Sequence, residues 1–232
     1  VLTTDQLVAM TSAQFAALKT TVLAAMNTTQ INKIEAGDIA ALTSAQIASM
    51  ATNLIVAMNT DQFAALKTAQ VAALTTDQIR VIETNDLQAM TTSSFAALKS
   101  AQVAAMTTLQ INKIETGDIA ALTTSALQGL TTNQISLNNG TTDQVTVLTT
   151  DQLVAMTSAQ FAALGTTILG AMNTNQINNI EASDIAALTT TQLVTLATNQ
   201  IAAMNTDQLA GLKTAQVAAL HTDQIRAIET ND

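Results

Sequence analysis

A bulky apolar side chain recurs at every eighth residue of this chain, from Leu7 to Ile225, with a single shift of register. The unit reads Thr-Thr/Ser-x-Gln-Ile/Leu-x-Ala-Leu/Met, and its eight positions are counted from Thr3 as position one. The register shifts by two residues within Ser136–Thr141 and resumes at Val145. A short repeat carried through a whole chain is typical of a solenoid, in which each unit packs on its neighbours, rather than of a globular enzyme.

Each octad has the pattern of a very short helix. Thr3 and Gln6, at positions one and four, have the spacing of a capping box, and good helix formers follow them. Positions five and eight share one face of a helix but would point to opposite faces of a strand. One continuous helix is disfavoured because eight residues exceed two turns by roughly 80°, so the apolar stripe would spiral. The sequence predicts an all-α solenoid of Thr-capped helices that depend on stacking for stability.

Charge at position one predicts how many octads form a coil. Charged residues fall there in alternate octads, whereas the intervening octads carry Thr, Asn or His. This alternation predicts two octads, or sixteen residues, per coil, with an oppositely charged pair on one edge wherever Lys and Glu follow each other. The pairs would be Lys19 with Glu35, Lys67 with Glu83, Lys99 with Glu115, and Lys213 with Glu229. Exposed pairs of this kind contribute about 0–1 kcal/mol each.

A longer repeat divides the chain. Residues 147–232 repeat residues 1–86 at an offset of 146 residues, which is eighteen octads plus the two inserted residues. We therefore expect one repeat solenoid over residues 1–135, a turn at 136–141 and a continuation of the solenoid over 142–232. Asn138-Asn139-Gly140 favours a bulged turn there, with a flexible hinge as the alternative. Because Val1 and Asp232 lie inside octads, we also expect the repeats to belong to a longer chain or a fibre.

Positions five and eight are the predicted core. All four Phe occupy position five and all nine Met occupy position eight, where Met acts as a flexible filler rather than as a ligand. Position three varies and is predicted to be exposed, as at Asp5, Ala13, Asp61, Asp77 and Asp151. Gln at position four, as at Gln6, Gln14, Gln62 and Gln208, is predicted to hydrogen-bond the backbone of the preceding turn. Where Val22, Leu54 or Ile168 replaces it, we expect a looser cap or cover from a neighbouring chain.

Acidic residues form the one recurring constellation that chemistry could use. In five octads Glu takes position one and Asp takes position four: Glu35/Asp38, Glu83/Asp86, Glu115/Asp118, Glu181/Asp184 and Glu229/Asp232. A first-turn acidic pair facing the helix dipole is favoured over a divalent-ion site, because Ca²⁺ takes six to eight oxygen ligands. His221 stands where an equivalent octad has Thr75, which indicates a surface substitution. The sequence therefore predicts no enzyme, no cofactor and no catalytic, cofactor-binding or metal-binding residue.

The composition disfavours several classes of binding partner. The chain has no Trp, Tyr, Pro or Cys, and its net charge of −9 disfavours nucleic acid and anionic membrane surfaces. Its apolar runs are only a few residues long, far short of a membrane span. With few aromatic residues to form a pocket, no small-molecule substrate is expected. Self-association into an oligomer or filament is the predicted partnership.

Essentially the whole chain resembles a known kind of sequence, and two tracts illustrate this. Ala41–Ile47 and Lys67–Leu74 are similar to the Thr/Gln/Ala-Leu octapeptide tracts of large bacterial secreted and cell-surface proteins. The resemblance implies an extracellular or surface-associated structural role and carries over no functional residue. The predicted function is a rod or filament segment, such as a stalk, fibre or sheath. The alternative is an adhesin whose regular Thr rows bind polysaccharide or ice.

Overall fold

Short helices make up all the regular structure that is described. The computed structural model describes residues 3–136 and 148–229, which divide into the compact units Val1–Gly129 and Leu130–Asp232. Within those ranges there are 27 helices and no strand. The helices of the first unit are Thr4–Val8, Ser12–Ala17, Thr20–Ala24, Thr28–Lys33, Ala36–Ala41, Ser44–Ala48, Thr52–Val56, Thr60–Ala64, Thr68–Val71, Thr76–Val81, Thr84–Ala89, Thr92–Ala96, Ser100–Ala105, Thr108–Lys113, Thr116–Ala121 and Thr124–Leu127. Those of the second unit are Thr132–Ser136, Thr150–Ala155, Ser158–Ala163, Thr166–Ala171, Thr174–Asn178, Ala182–Ala187, Thr190–Val194, Thr198–Ala202, Thr206–Ala210, Thr214–Ala219 and Thr222–Glu229.

Each helix begins at position two of its octad, with position one as its N-cap. The Ser44–Ala48 helix is representative: the Thr43 hydroxyl accepts from the Gln46 N–H, and the Gln46 side chain accepts from the Thr43 N–H. Leu42 and Thr43, with ψ of 146° and 157°, are extended, so the chain bends between one helix and the next. The predicted all-α architecture of short Thr-capped helices is confirmed.

A coil contains three octads, so the prediction of two octads per coil is wrong. In the first unit the Ser12–Ala17 helix packs on Ala36–Ala41, and Thr60–Ala64 packs on Thr84–Ala89. In the second unit Ser158–Ala163 packs on Ala182–Ala187 in the same way. Each pair lies 24 residues apart. Two octads per coil would need a full chain reversal at every junction, whereas the extended residues at positions eight and one turn the chain by only about a third of a coil.

The predicted charge pairs fail for the same reason. Residues sixteen apart lie on neighbouring edges of a three-octad coil, so Lys19 and Glu35 are not stacked, and neither are the pairs at Lys67 and Lys99. Within the described part of the chain, the ion pair that forms joins the exposed side chains of Arg226 and Asp223, 4.0 Å apart. The side chain of Glu229, the predicted partner of Lys213, lies outside the described residues.

The core follows positions five and eight. Phe15, Phe63, Phe95 and Phe161 at position five are fully buried, and every Met at position eight except the half-buried Met10 is buried. Burial weakens at position five in the last described coil, where Leu209 and Ile225 are half-buried and Val217 is 46% exposed. All five position-three residues named as exposed are exposed. The predicted core and surface are therefore confirmed, and the exceptions are the last described coil and the half-buried position-eight residues Met10, Leu18 and Leu130.

Three of the four apolar residues at position four, Val22, Leu54 and Ile168, behave in two ways; the fourth, Ala126, is buried and its helix is capped by the Thr123 hydroxyl. Leu54 and Ile168 are buried within their own chain, at 1% and 4% exposure, so neither needs cover from a neighbouring chain. Val22 is 40% exposed. In all three octads the helix has no side-chain cap hydrogen bond, as expected. Of the predicted turn at 136–141, Ser136 still belongs to a helix, and the remainder lies outside the described residues.

Candidate functional site

The buried Gln side chains at position four join one coil to the next. In Gln62 the Oε1 atom accepts from the N–H of Asn59, which closes the local cap at 2.9 Å. The Nε2 atom donates to the carbonyls of Ile34 and Ile31, at 2.6 and 2.8 Å, in the preceding coil. We call this set of three bonds the Gln clasp. It uses both amide hydrogens and the carbonyl of the side chain, so a buried polar group is satisfied.

The Gln clasp recurs with the same offsets along both units. The Nε2 atom donates to the carbonyls 28 and 31 residues earlier, which belong to positions eight and five of the coil before. Complete examples occur at Gln46, Gln62, Gln70, Gln78, Gln102, Gln110, Gln200, Gln208 and Gln216.

The sequence predicted only half of the Gln clasp. The local bond to the preceding turn is confirmed at Gln6, Gln14, Gln62 and Gln208. The bonds to the preceding coil were missed. A signal for them was present, because Glu at position four would cap as well and would favour the helix dipole. The repeated choice of Gln over Glu indicates that the side chain must donate.

The Glu-Asp octads lack the Gln clasp. Their helices have no side-chain cap hydrogen bond, and their Asp side chains are buried at position four. Each Asp accepts instead from a hydroxyl at position two of the coil before. Ser12 donates to Asp38 at 2.6 Å, Thr60 to Asp86 at 3.0 Å and Ser158 to Asp184 at 2.5 Å, and Thr92 bonds Asp118. Asp232 and the side chain of Glu229 lie outside the described residues.

Burial changes the titration of three of these carboxyls. Desolvation raises the pKa of Asp86, Asp118 and Asp184 above the ordinary 3.8, and the neighbouring Glu of the same octad raises it further. The hydrogen bond from the Ser or Thr hydroxyl opposes both effects. Desolvation is the largest cause because each of these residues is buried against the preceding coil, which disfavours the charged form.

A polar notch opens beside one Glu-Asp octad. It has a volume of about 520 Å³ and is lined by Thr28, Thr29, Asn32, Val56, Ala57, Met58, Asn59, Glu83 and Asp86. Its two Asn side chains are engaged in the stack: Asn32 donates to the Ala57 carbonyl and Asn59 to the Asn32 carbonyl. Two carboxylates fall short of the oxygen set that Ca²⁺ requires. Among the described residues, no three His, Cys, Asp or Glu side chains are grouped to hold a metal ion.

The remaining candidates lie on the surface. His221 is exposed, as predicted, and its backbone N–H donates to the Gln224 side chain. Thr hydroxyls at position two form exposed columns at 24-residue spacing, for example Thr28, Thr52, Thr76 and Thr124. None of the described helices has the length and apolarity that crossing a bilayer requires.

A family model matches much of the chain. The ALTTAQ repeat matches residues 31–68, 55–81, 79–113, 111–137, 177–214 and 198–230, which is more than half of the chain. The chain belongs to the ALTTAQ repeat family. The six letters of the family name are one-letter amino-acid codes. They correspond to positions seven and eight of one octad and positions one to four of the next, as in Ala41-Leu42-Thr43-Ser44-Ala45-Gln46. These ALTTAQ positions contain the bend, the cap and the Gln clasp. No curated protein matches the chain.

Proposed function

We propose that this ALTTAQ repeat chain is a segment of a structural rod or filament outside the cell, serving as a stalk, fibre or sheath and not as an enzyme. The Gln clasp is the observation that supports this proposal. Each coil donates to the coil before it and offers the same carbonyls to the coil after it. Such a contact is open-ended, and a solenoid built on it gains length and stability with every coil.

The proposal includes self-association of the segment. The position-five side chains of the last described coil are less buried than those before them: Leu209 and Ile225 are half-buried and Val217 is 46% exposed. A second copy stacked on this coil would cover these side chains, and its position-four Gln side chains would donate to the backbone carbonyls of the coil. A head-to-tail contact that does not close propagates as a filament.

Sedimentation and electron microscopy of the 232-residue segment test self-association. We expect elongated species whose length increases with protein concentration. Val217→Asp should suppress them because it places a charge on the uncovered coil face. Val56→Asp is the matched control: Val56 is 45% exposed at position six, away from that face, and its substitution should leave association intact. A monodisperse monomer at high concentration would refute the filament and leave a soluble spacer.

Localisation needs a separate experiment on cells that produce the full reading frame. Protease added to intact cells should remove the repeats if they lie outside the cell, and an antibody to the segment should label the surface or the culture medium. Recovery of intact repeats in the protected fraction would contradict an extracellular role.

A binding module is the second candidate, favoured by the exposed Thr columns. Position-one hydroxyls are used in helix caps, but the position-two hydroxyls of Thr28, Thr52 and Thr76 are exposed in one column. A regular hydroxyl array suits a repetitive target such as polysaccharide or ice. Thermal hysteresis and a glycan screen should detect binding that is lost on replacing this column by Lys. Replacing Asn53 and Asp77 by Lys is the control, and equal loss in both variants would exclude a column-specific site.

A further inference from the structure

Position four of the Glu-Asp octads has the same place in the coil as the Gln of the Gln clasp, but an ionised Asp has no hydrogen to donate there. In the Gln octads of both units, this side chain donates to carbonyls 28 and 31 residues earlier. For Asp184 the corresponding carbonyls are those of Met156 and Leu153. A carboxylate has only acceptor oxygens, whereas a protonated carboxyl has one O–H donor.

Asp184 shows the consequence of this mismatch. Its Oδ1 atom accepts from the Ser158 hydroxyl, while its Oδ2 atom is buried and has no hydrogen-bond partner. The whole residue is 2% exposed. A buried carboxylate oxygen without a donor is costly, and a proton on that oxygen removes both the charge and the missing bond.

The surrounding charges favour the proton. Each Asp shares its octad with a Glu that raises its pKa, and the helices packed against those of Asp86 and Asp184 carry the exposed Asp61 and Asp207. Lys113, on the helix packed against Thr84–Ala89, is the one cation on these neighbouring helices among the described residues. The Thr92–Ala96 helix that packs against the helix of Asp118 carries no charged side chain.

We propose that Asp86, Asp118 and Asp184 are proton-operated clasps: on acidification each carboxyl takes up a proton, and its O–H donates to a carbonyl of the preceding coil as Gln Nε2 does. The stack of coils is then held more tightly at acidic pH than at neutral pH. This device acts within one chain and does not depend on the proposed rod function.

The sign of the pH dependence follows from the direction of the shifts. The folded pKa of these three carboxyls lies above the unfolded value of 3.8. The folded state therefore binds protons more tightly, and stability rises as pH falls through the folded pKa towards the unfolded one. Each pKa unit of elevation increases the ratio of folded to unfolded protein by up to about tenfold per carboxyl.

Urea unfolding of the triple variant Asp86→Asn, Asp118→Asn and Asp184→Asn tests the proposal. Asn keeps the shape of Asp and carries a donor at every pH. We expect the unfolding midpoint of the parent chain to rise as the pH is lowered from 7 towards the unfolded pKa of 3.8. That of the variant should lie at or above the parent's value at pH 7 and should stay nearly constant. A control variant with Asn at the exposed Asp61, Asp77 and Asp207 should keep the rise.

A direct titration completes the test. The side-chain carboxyl carbons of the three Asp should titrate above 3.8 when followed by ¹³C NMR in the intact segment. Titration at or below that value would overturn the proposal, as would an equal pH dependence in the triple variant. If Ca²⁺ at pH 7 stabilises the parent chain but not the triple variant, the Glu-Asp octads are cation sites and the proposal of proton-operated clasps is wrong.

Discussion

At the scale of single residues, the octad depends on the difference between an amide and a carboxylate. Gln at position four closes its own helix cap with Oε1 and joins the previous coil with Nε2, as at Gln78. The sequence predicted the cap because a capping box involves residues only three apart. It could not show the second bond, because the partner carbonyls of Ile47 and Met50 become neighbours only once the coil size is known.

Gln78→Glu should therefore destabilise the chain at pH 7. The change keeps the side-chain length but replaces two donated hydrogen bonds with a buried charge facing two carbonyls. Unfolding in urea should show a loss of about 1–3 kcal/mol or more. The same change at Gln14, whose side chain is exposed and bonds only its own cap, should have little effect. Equal losses at the two sites would show that the bonds between coils contribute nothing.

Two glycines give opposite predictions. An added Cβ at Gly129 would lie 2.2 Å from the backbone oxygen of Ser100, whereas at Gly37 it would meet nothing within 4 Å. Gly129→Ala should therefore destabilise the first unit by about 1–3 kcal/mol, through a forced backbone shift. Gly37→Ala, inside the Ala36–Ala41 helix, should stabilise it by up to about 1 kcal/mol. Thermal unfolding of the two variants would check both signs, and a stable Gly129→Ala chain would show that the two octads can separate at little cost.

At the scale of the helix, stability comes from stacking between coils and not from the length of each helix. Helices of five or six residues are unstable alone in water, and here they are held by the position-five side chain between coils. Phe63 illustrates this because it is fully buried and its helix packs on both Ala36–Ala41 and Thr84–Ala89. Sequence reasoning found this core from the period alone, since apolar residues three apart share a helix face.

Phe63→Ala should cost about 3–5 kcal/mol because it leaves a cavity between two coils. Asp61→Ala, in the same helix at an exposed position, is the matched control and should change stability by less than about 0.5 kcal/mol. Chemical denaturation of both variants gives the comparison. Should the two unfold at the same denaturant concentration, the assignment of position five to the core would be wrong.

At the scale of the whole molecule, the number of octads per coil was the feature that the sequence did not determine. The long repeat contains eighteen octads, a multiple of both two and three, so it fits either coil. Charged residues at position one are spaced sixteen residues apart, whereas equivalent positions of successive coils are 24 residues apart. The two spacings coincide only every 48 residues. Lys19 and Lys67 then share a column two coils apart, and Lys19 and Glu35 do not. The coil size follows instead from the bend at each junction, which no periodicity in the sequence reports.

Distance measurements in solution distinguish the two coils. The chain contains no Cys, so pairs of introduced cysteines can carry spin labels without background. Labels at Thr52 and Thr76, on helices that pack directly, should be closer than labels at Thr60 and Thr76. All three sites are exposed at position two, and the label at Thr60 also removes the hydroxyl that donates to Asp86. Two octads per coil would reverse the order of the two distances, because residues sixteen apart would then be stacked and residues 24 apart would lie on opposite sides of the coil.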